Sequence, residues 1–243
     1  MKIAVCIAHV PDTATKVRIG ADGRSIDPTG VTYVLNPYDE FAVEEALLTK
    51  EKAGGEVVAL CIGGPETEPT IRKVLAMGAD RAVRIDGEPE DTLVAARWLA
   101  DVLREEAPDI VFVGKETVSF NGAAMAAALG ELLGWPNASV VVRFTLNGSV
   151  ATYEREVEGG KELGQITLPC VISCQRGLNN PRLPKLPDIM KAKQKPIAVR
   201  QPVGGRATMR VVRLELPPPK KGCKFVKSAE ELVRLLHEEA GVI

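Results

Sequence analysis

The chain has 243 residues, of which 45% are hydrophobic and 26% are charged, and its formal net charge is -1 at pH 7. This composition is ordinary for a soluble globular protein, and a net charge so close to zero argues against nucleic acid as the main partner. The sequence lacks the run of about 18 apolar residues that a membrane span needs, and its first residues resemble neither a secretory leader nor a mitochondrial transit segment. We therefore expect a cytoplasmic protein.

Short β-rich runs alternate with helical patterns through the first half of the chain. The predicted strands are residues 2–8, 56–62, 81–85 and 109–113. The predicted helices run from Pro37 to about Gly54 and over residues 67–77, 92–106 and 122–133. Because the strands are apolar on both faces, the alternation predicts βα units around a parallel sheet with helices on both sides.

The first predicted helix has several features of a helix N-terminus. Asn36 is a suitable N-cap, Pro37 fits the first helical position, and Asp39 lies in the first turn. A carboxylate at that end interacts favourably with the helix dipole.

The second half of the chain has a different pattern. Two strand-like runs, 140–146 and 149–156, flank the dipeptide Asn147-Gly148, which favours a tight hairpin turn. A further buried strand is predicted over residues 168–174.

The last part of the chain is expected to form an extended arm. It contains a strand-like run at 211–216, three consecutive prolines at 217–219, and a possible capping box of Ser228 and Glu231 for a helix that ends near residue 240. We expect an α/β fold with an open, mostly parallel sheet of the Rossmann-like, adenine-nucleotide-binding type, an antiparallel hairpin and this C-terminal arm. The predicted boundary separates residues 1–197 from the arm, 198–243.

Three turns that follow predicted strands contain small or polar residues. They begin at Ala8, Gly63 and Gly114. The carboxyl ends of parallel strands meet at one edge of a sheet, so these turns are expected to converge where helix N-termini attract anions. The third turn, GKETVSFNG, can hold a phosphate or can be an ordinary loop. It is not a P-loop, and no GxGxxG motif follows the first strand, which disfavours a dinucleotide dehydrogenase.

Few residues suit acid-base or metal chemistry. The two histidines, His9 and His237, have no partner at the spacing of a known nucleophile motif. The five cysteines include no Cys-x-x-Cys pair, and three of them lie in apolar runs where a thiol acts as a small hydrophobic side chain. A ligand contact by His9 stays open.

The segment from 178 to 197 is rich in proline, which excludes a long regular element. Its apolar residues are followed by lysines; the residues concerned are Leu183, Leu186, Ile189, Met190, Lys191, Lys193 and Lys195. A few apolar side chains beside charges are typical of a partner-docking loop. The same composition also fits a linker with solvated lysines.

Six ordered sequence blocks cover nearly the whole chain. They are VPDTATKVRI (10–19), LNPYDEFAVEEAL (35–47), TIRKVLAMGADRAVRI (70–85), DIVFVGKE (109–116), EREVEGG (154–160) and the proline-rich stretch (178–197). Together they resemble the beta subunit of electron transfer flavoproteins. This resemblance implies a heterodimer whose alpha subunit holds most of the FAD, while beta carries AMP and contributes no catalytic residues of its own. The pair would accept electrons from acyl-CoA and related dehydrogenases of fatty acid beta-oxidation and deliver them to a membrane quinone oxidoreductase.

The resemblance also implies which residues bind cofactors. By position they are Cys6, Asn36, Pro37, Tyr38, Asp39, Ile62, Gly114, Lys115, Glu116, Thr117, Ser119, Asn121, Gly122, Ala123, Ala124 and Met125. Tyr38 would be the aromatic residue nearest the flavin. Many family members have Asp-x-Asp followed by Gln and Thr or Val in the phosphate loop, where this chain has Ser119, Asn121, Ala124 and Met125. Side-chain support for a phosphate is therefore reduced.

The partner-binding residues implied by the resemblance lie mostly in the docking loop. They are Glu156, Leu183, Leu186, Pro187, Ile189, Met190, Lys191 and Lys193. Leu186 would anchor the dehydrogenase, and Glu156 would govern release of the partner.

Two other functions compete with this one. A free-standing adenine-nucleotide-binding regulatory module would be stable as a monomer or homodimer, whereas the arm of an electron transfer flavoprotein would pack on its alpha subunit. An ATP-using ligase or hydrolase would need a phosphate loop with Ser or Thr beside Lys. Bifurcating relatives would hold a second FAD in place of AMP.

Overall fold

The computed structural model describes residues 1–220 and 222–243. The strands are β1 (Lys2–Ile7), β2 (His9–Pro11), β3 (Tyr33–Leu35), β4 (Glu56–Ile62), β5 (Arg81–Ile85), β6 (Ile110–Gly114), β7 (Asn137–Asn147), β8 (Val150–Val157), β9 (Gly160–Thr167), β10 (Cys170–Cys174) and β11 (Ile197–Arg200). The helices are α1 (Pro37–Ala53), α2 (Glu68–Met77), α3 (Thr92–Glu106), α4 (Met125–Leu133), α5 (Leu186–Ala192) and α6 (Ala229–Leu235). A 3-10 turn at Pro65–Thr67 precedes α2, and a π-helical turn at Leu236–Ala240 follows α6.

Nine of these strands form one sheet in the order β11-β5-β4-β1-β6-β10-β7-β8-β9. Neighbouring strands from β11 to β7 are parallel, whereas β7, β8 and β9 form an antiparallel meander. β2 and β3 pair separately as a short antiparallel ribbon. The predicted α/β fold with a mostly parallel sheet and a hairpin is confirmed.

Helices cover both faces of the parallel part of the sheet. Alternate residues of β1 enter two different cores: Ile3 and Val5 pack with α1 and α2, while Ala4 and Cys6 pack with α3 and α4. This alternation follows from the two-residue period of a strand and explains why the central strands are apolar on both faces. None of the described helices combines the length and the hydrophobicity that a membrane crossing requires.

Two predicted elements are wrong in their extent or existence. α4 begins at Met125 and not at residue 122, because Asn121 and Ala123 adopt left-handed backbone conformations with φ of 51° and 47°. Residues 211–216 form irregular chain, in which Leu214 N donates to Gly23 O. An apolar run becomes a strand only where a sheet edge is present to pair with it.

The expected boundary at 197/198 falls inside a strand. β11 pairs with β5 through Arg200, so the sheet includes the first residues of the expected arm. Beyond β11 the chain follows α3, where Trp98 Nε1 donates to Gly204 O at 2.6 Å.

Candidate functional site

A cleft of about 350 Å³ lies at the carboxyl ends of β1, β4 and β6. Twelve of the predicted cofactor residues line it: Cys6, Asp39, Ile62, Gly114, Lys115, Glu116, Thr117, Ser119, Gly122, Ala123, Ala124 and Met125. Two of the three turns expected to converge, those that begin at Ala8 and Gly114, therefore line one space. The turn that begins at Gly63 is not part of the lining, to which β4 contributes its last residue, Ile62. The other four predicted residues, Asn36, Pro37, Tyr38 and Asn121, are not part of the lining.

Asp39 joins the two strand ends that form the floor of the cleft. One of its carboxylate oxygens accepts a hydrogen bond from Ala8 N at 2.7 Å, and the other accepts from Gly114 N at 3.1 Å. These two amides follow β1 and end β6, so a single side chain in the first turn of α1 fixes both. Asp39 is buried, and desolvation raises the pKa of its carboxyl to about 7 despite hydrogen bonds from Asn36, Ala8 and Gly114.

Asn36 fixes the loop on the other side of the cleft. It occupies the N-cap position of α1, as predicted, but its side chain bonds to a distant segment. Its amide nitrogen donates to Glu116 O at 2.9 Å, and its amide oxygen accepts from Val118 N at 3.1 Å. The hydrogen bonds of Asp39 and Asn36 therefore hold the strand ends and the loop that surround the cleft.

The loop from Gly114 to Met125 forms the widest wall of the cleft. Gly114 is tightly enclosed, because an added Cβ would overlap Asp39 Oδ1 and lie 2.9 Å from Asp39 N. Around Gly122, by contrast, a Cβ would meet open space. Ala124, the N-cap residue of α4, has no polar side chain, so backbone N-H groups of the first turn are the donors that this helix can offer.

Sequence reasoning missed the wall that α3 contributes. Pro89, Glu90, Asp91, Thr92, Ala95 and Leu99 line the cleft, together with Ile7, Val113 and Phe120. Asp91 is the N-cap of α3, and its side chain accepts from Val94 N at 2.8 Å. Ligands bind at the carboxyl ends of parallel strands, and this rule was applied to the turns after β1, β4 and β6. It applies equally to the turn between β5 and α3, both of which were predicted, so this wall could have been found from the sequence.

Acidic side chains outnumber basic ones around the cleft. The acidic residues that line it are Asp39, Glu90, Asp91 and Glu116, and the basic ones are Lys115 and His9. Lys115 Nζ lies 3.4 Å from Glu116 Oε1 and 5.7 Å from the centre of the Tyr38 ring. Hydrogen bonds from Val94 N and Thr208 N hold the pKa of Asp91 well below its usual value. A bound phosphate would therefore depend on backbone N-H groups and on Lys115.

His9 lies at the rim of the cleft in a fixed orientation. Its ring stacks on Tyr33 at 4.8 Å between centroids, and Nδ1 lies 2.8 Å from Thr70 Oγ1. Burial lowers the pKa of this imidazole. His9 is thus a neutral, partly enclosed group at neutral pH.

The cysteines near the cleft are suited to packing. Cys6, Cys61 and Cys174 are buried free thiols, and desolvation raises the pKa of Cys61 to about 12. A thiol that stays protonated is a poor nucleophile and a poor metal ligand. Within residues 1–220 and 222–243, no three metal-ligating side chains come together.

The predicted partner-binding residues lie on a different part of the surface. Leu183, Leu186, Pro187, Ile189, Met190, Lys191 and Lys193 are all exposed on or beside α5. Glu156 is exposed on β8, where it accepts a hydrogen bond from Gln175 Nε2 at 3.2 Å. Leu186 has 73% of its surface in solvent, and Leu183, Ile189 and Met190 in the same loop are exposed as well.

The chain is similar to known proteins over its whole length. A family model for the electron transfer flavoprotein domain matches residues 24–203. The chain is 39% identical over 253 residues to the "Electron transfer flavoprotein subunit beta, mitochondrial" of Oryza sativa subsp. japonica, with 100% of both chains covered. It is 35% identical over 259 residues to the "Electron transfer flavoprotein subunit beta" of Bacillus subtilis, again covering 100% of both. The Homo sapiens protein of the same name is 35% identical over 248 residues, covering 98% of this chain and 97% of the relative.

Proposed function

The chain belongs to the electron transfer flavoprotein family as a beta subunit, and from this premise we propose that it assembles with an alpha subunit that holds most of the FAD. The heterodimer accepts electrons from dehydrogenases such as acyl-CoA dehydrogenases in fatty acid beta-oxidation, and it passes them to a quinone oxidoreductase. The observation that carries the proposal is the full-length match to relatives that are named beta subunits.

The cleft supports a role for this chain in holding AMP. Its volume of about 350 Å³ lies in the range of small-molecule sites, and its lining combines apolar side chains with several polar and charged ones. The open surroundings of Gly122 leave room for a ligand against the backbone. In this arrangement the first-turn N-H groups of α4 and Lys115 would hold the phosphate, and Asp39 would hold the strand ends in place.

The redox chemistry of the heterodimer would be supplied by FAD when it is bound. This chain offers Tyr38, which lies next to Asp39 at the N-terminus of α1 and under Lys115, as the side chain nearest the flavin. Its other contributions are structural: it holds AMP, covers part of the alpha subunit and presents the docking loop to the dehydrogenase.

Assembly is the first point to test. The chain is co-expressed with an alpha subunit, the complex is purified, and its absorbance spectrum and extracted nucleotides are measured. We expect a one-to-one heterodimer that contains one FAD and one AMP. A stable monomer or homodimer that does not associate with alpha would contradict the proposal and would favour the free-standing nucleotide-binding module.

Docking is tested separately, on the assembled heterodimer. Leu186→Ala should slow reduction of the bound FAD by the dehydrogenase without changing FAD content, because exposed apolar anchors carry much of the energy of an interface. Leu163→Ala is a matched control, since Leu163 is 76% exposed on β9 and Leu186 is 73% exposed on α5. Equal reduction kinetics for both variants would exclude the docking role of Leu186.

A further inference from the structure

The docking loop is tied to α1 by a polar anchor at its N-terminal end. Arg182 forms a fork with Glu44: Nε donates to Oε2 at 2.8 Å and an Nη donates to Oε1 at 2.9 Å. The backbone N-H of Arg182 also donates to Glu44 Oε2 at 3.0 Å, and its second Nη reaches Glu51 at 2.6 Å. Glu44 is buried, with only 4% of its surface exposed.

A second anchor holds the C-terminal end of the loop against α2. Arg72 Nη1 donates to Ala192 O at 2.8 Å and to Lys195 O at 2.7 Å. Lys195 Nζ in turn donates to Leu75 O at 2.9 Å and to Ala79 O at 2.6 Å, near the end of α2. The two ends of the loop are therefore fixed to two different helices.

Between these anchors the loop exposes its apolar side chains. Leu183, Leu186, Ile189 and Met190 are all substantially in solvent. Since these side chains face away from the core, hydrophobic burial contributes little to the position of α5, and the buried Ala192 is the apolar contact near its end. The ion pair of Arg182 with Glu44 can orient the loop, because a two-bond guanidinium–carboxylate contact fixes both the distance between the two groups and the angle between them.

We propose that Arg182, through its fork with Glu44, is a positioning residue that holds the docking loop in its binding conformation before the dehydrogenase arrives. This inference rests on the proposed docking function. A loop that is already ordered does not lose conformational entropy on binding, so its affinity for the partner is higher than that of a mobile loop of the same sequence. Arg182 itself need not touch the dehydrogenase.

The experiment measures reduction of FAD in the assembled heterodimer over a range of dehydrogenase concentrations. Arg182→Gln should raise the half-saturating dehydrogenase concentration about tenfold, the factor equivalent to ~1.4 kcal/mol. The limiting rate and the FAD content should stay at the values of the parent. Arg182→Lys, which keeps the charge but loses the fork, should give a smaller rise.

The matched control is Arg143→Gln. Arg143 pairs with Glu154 at 2.9 Å, but its side chain is 71% exposed on the hairpin, so its removal should leave the half-saturating concentration unchanged. Hydrogen exchange of the amides in residues 183–192 should be faster in Arg182→Gln than in either the parent or this control.

A double substitution separates positioning from general stability. If Arg182 acts by placing Leu186, then Arg182→Gln should add less than about twofold in a Leu186→Ala background. The inference would be overturned if the two substitutions raised the half-saturating dehydrogenase concentration by independent factors that multiply. It would also be overturned if an Arg182→Gln heterodimer with full FAD content had the same half-saturating concentration as the parent. Should Arg182→Gln fail to assemble, parent-like kinetics of Arg182→Lys would overturn it. A silent Leu186→Ala would instead refute the docking function itself.

Discussion

Asp39 illustrates how much of the cleft depends on one side chain. Its two carboxylate oxygens accept from backbone N-H groups at the ends of two different strands, 31 and 75 residues away along the chain. An asparagine has a single oxygen, so its NH2 group would face one of these two donors. The position therefore requires a carboxyl group for geometric reasons, even though burial disfavours its charge.

Asp39→Asn should destabilise the protein in a pH-dependent manner. The folded-state pKa of Asp39 is about 7, above its ordinary 3.8, so the stabilisation that it provides is complete below about pH 4 and is lost as the pH rises through 7. At about pH 5 we expect the free energy of unfolding of the variant to be ~1–3 kcal/mol lower than that of the parent, because one buried N-H donor is left unpaired. Denaturant titrations should find that this difference narrows towards pH 8. If the difference in unfolding free energy between parent and variant widened with pH, the raised pKa of Asp39 would be contradicted.

Gly114 is a second residue whose identity is dictated by its surroundings. Gly114→Ala should lower the free energy of unfolding by ~1–3 kcal/mol and reduce nucleotide content, since the new Cβ would push Asp39 away from the strand ends. Gly160→Ala on β9 is the control, because a Cβ there meets open space and Gly160 does not line the cleft. Thermal unfolding and nucleotide extraction compare the two variants. Similar losses in both would mean that the enclosure of Gly114 does not control the site.

The roles of such residues are only partly predictable from sequence. The sequence correctly placed Asn36 and Asp39 at the start of α1, because capping and dipole preferences act over a few residues. Their hydrogen bonds to residues 8, 114, 116 and 118 depend on tertiary folding, and local preferences contain no information about them. The position of the cleft could therefore be predicted, but its internal supports could not.

At the scale of elements, α3 connects the cleft with the C-terminal arm. The same Asp91 carboxylate that caps this helix also accepts from Thr208 N at 2.7 Å, Thr208 Oγ1 at 2.9 Å and Met209 N at 3.1 Å. Trp98, farther along α3, receives the arm at Gly204. One wall of the cleft is therefore also the attachment site of the arm.

Asp91→Ala should release the arm and fray the start of α3 together. The carboxylate has a depressed pKa, so it stabilises the fold above about pH 4 and loses this effect only in stronger acid. Limited proteolysis at neutral pH should cut residues 201–216 several times faster in the variant, and the thermal midpoint should fall. Asp101→Ala, on the same helix but paired with Arg104 at its surface, should match the parent. Protection of the arm in Asp91→Ala would exclude this attachment.

Elements that depend on distant partners were the ones that sequence reasoning misjudged. The central strands and the Asn147-Gly148 hairpin were predicted correctly because periodicity and turn chemistry are local. β9 was missed because its polar, glycine-containing sequence becomes a strand only by pairing with β8. The run at 211–216 has the opposite character, with strand-like residues and an irregular backbone.

At the scale of the whole molecule, the cleft, the docking loop and the arm are all attached to one sheet and its helices. The cleft lies at the carboxyl ends of the central strands, the docking loop is anchored on α1 and α2, and the arm follows α3 on the opposite face. α1 is shared between two of them, since Asp39 supports the cleft from its first turn and Glu44, five residues later, holds Arg182. In the proposed complex, a partner on the docking loop and a ligand in the cleft would thus contact segments held by the same helix.

The arm beyond residue 210 presents apolar side chains that the rest of this chain leaves uncovered, among them Val212, Leu216 and Phe225. Phe225 is 94% exposed, and in the proposed heterodimer we expect it to be buried by the alpha subunit. Phe225→Ala should weaken the affinity for alpha by about tenfold or more, as truncation of a buried aromatic anchor does. Lys224→Ala is its neighbouring control, because Lys224 pairs with Glu239 at 2.9 Å in solvent and should change the affinity little. Titration of labelled alpha subunit measures both affinities, and equal values for the two variants would place the alpha interface elsewhere on the chain.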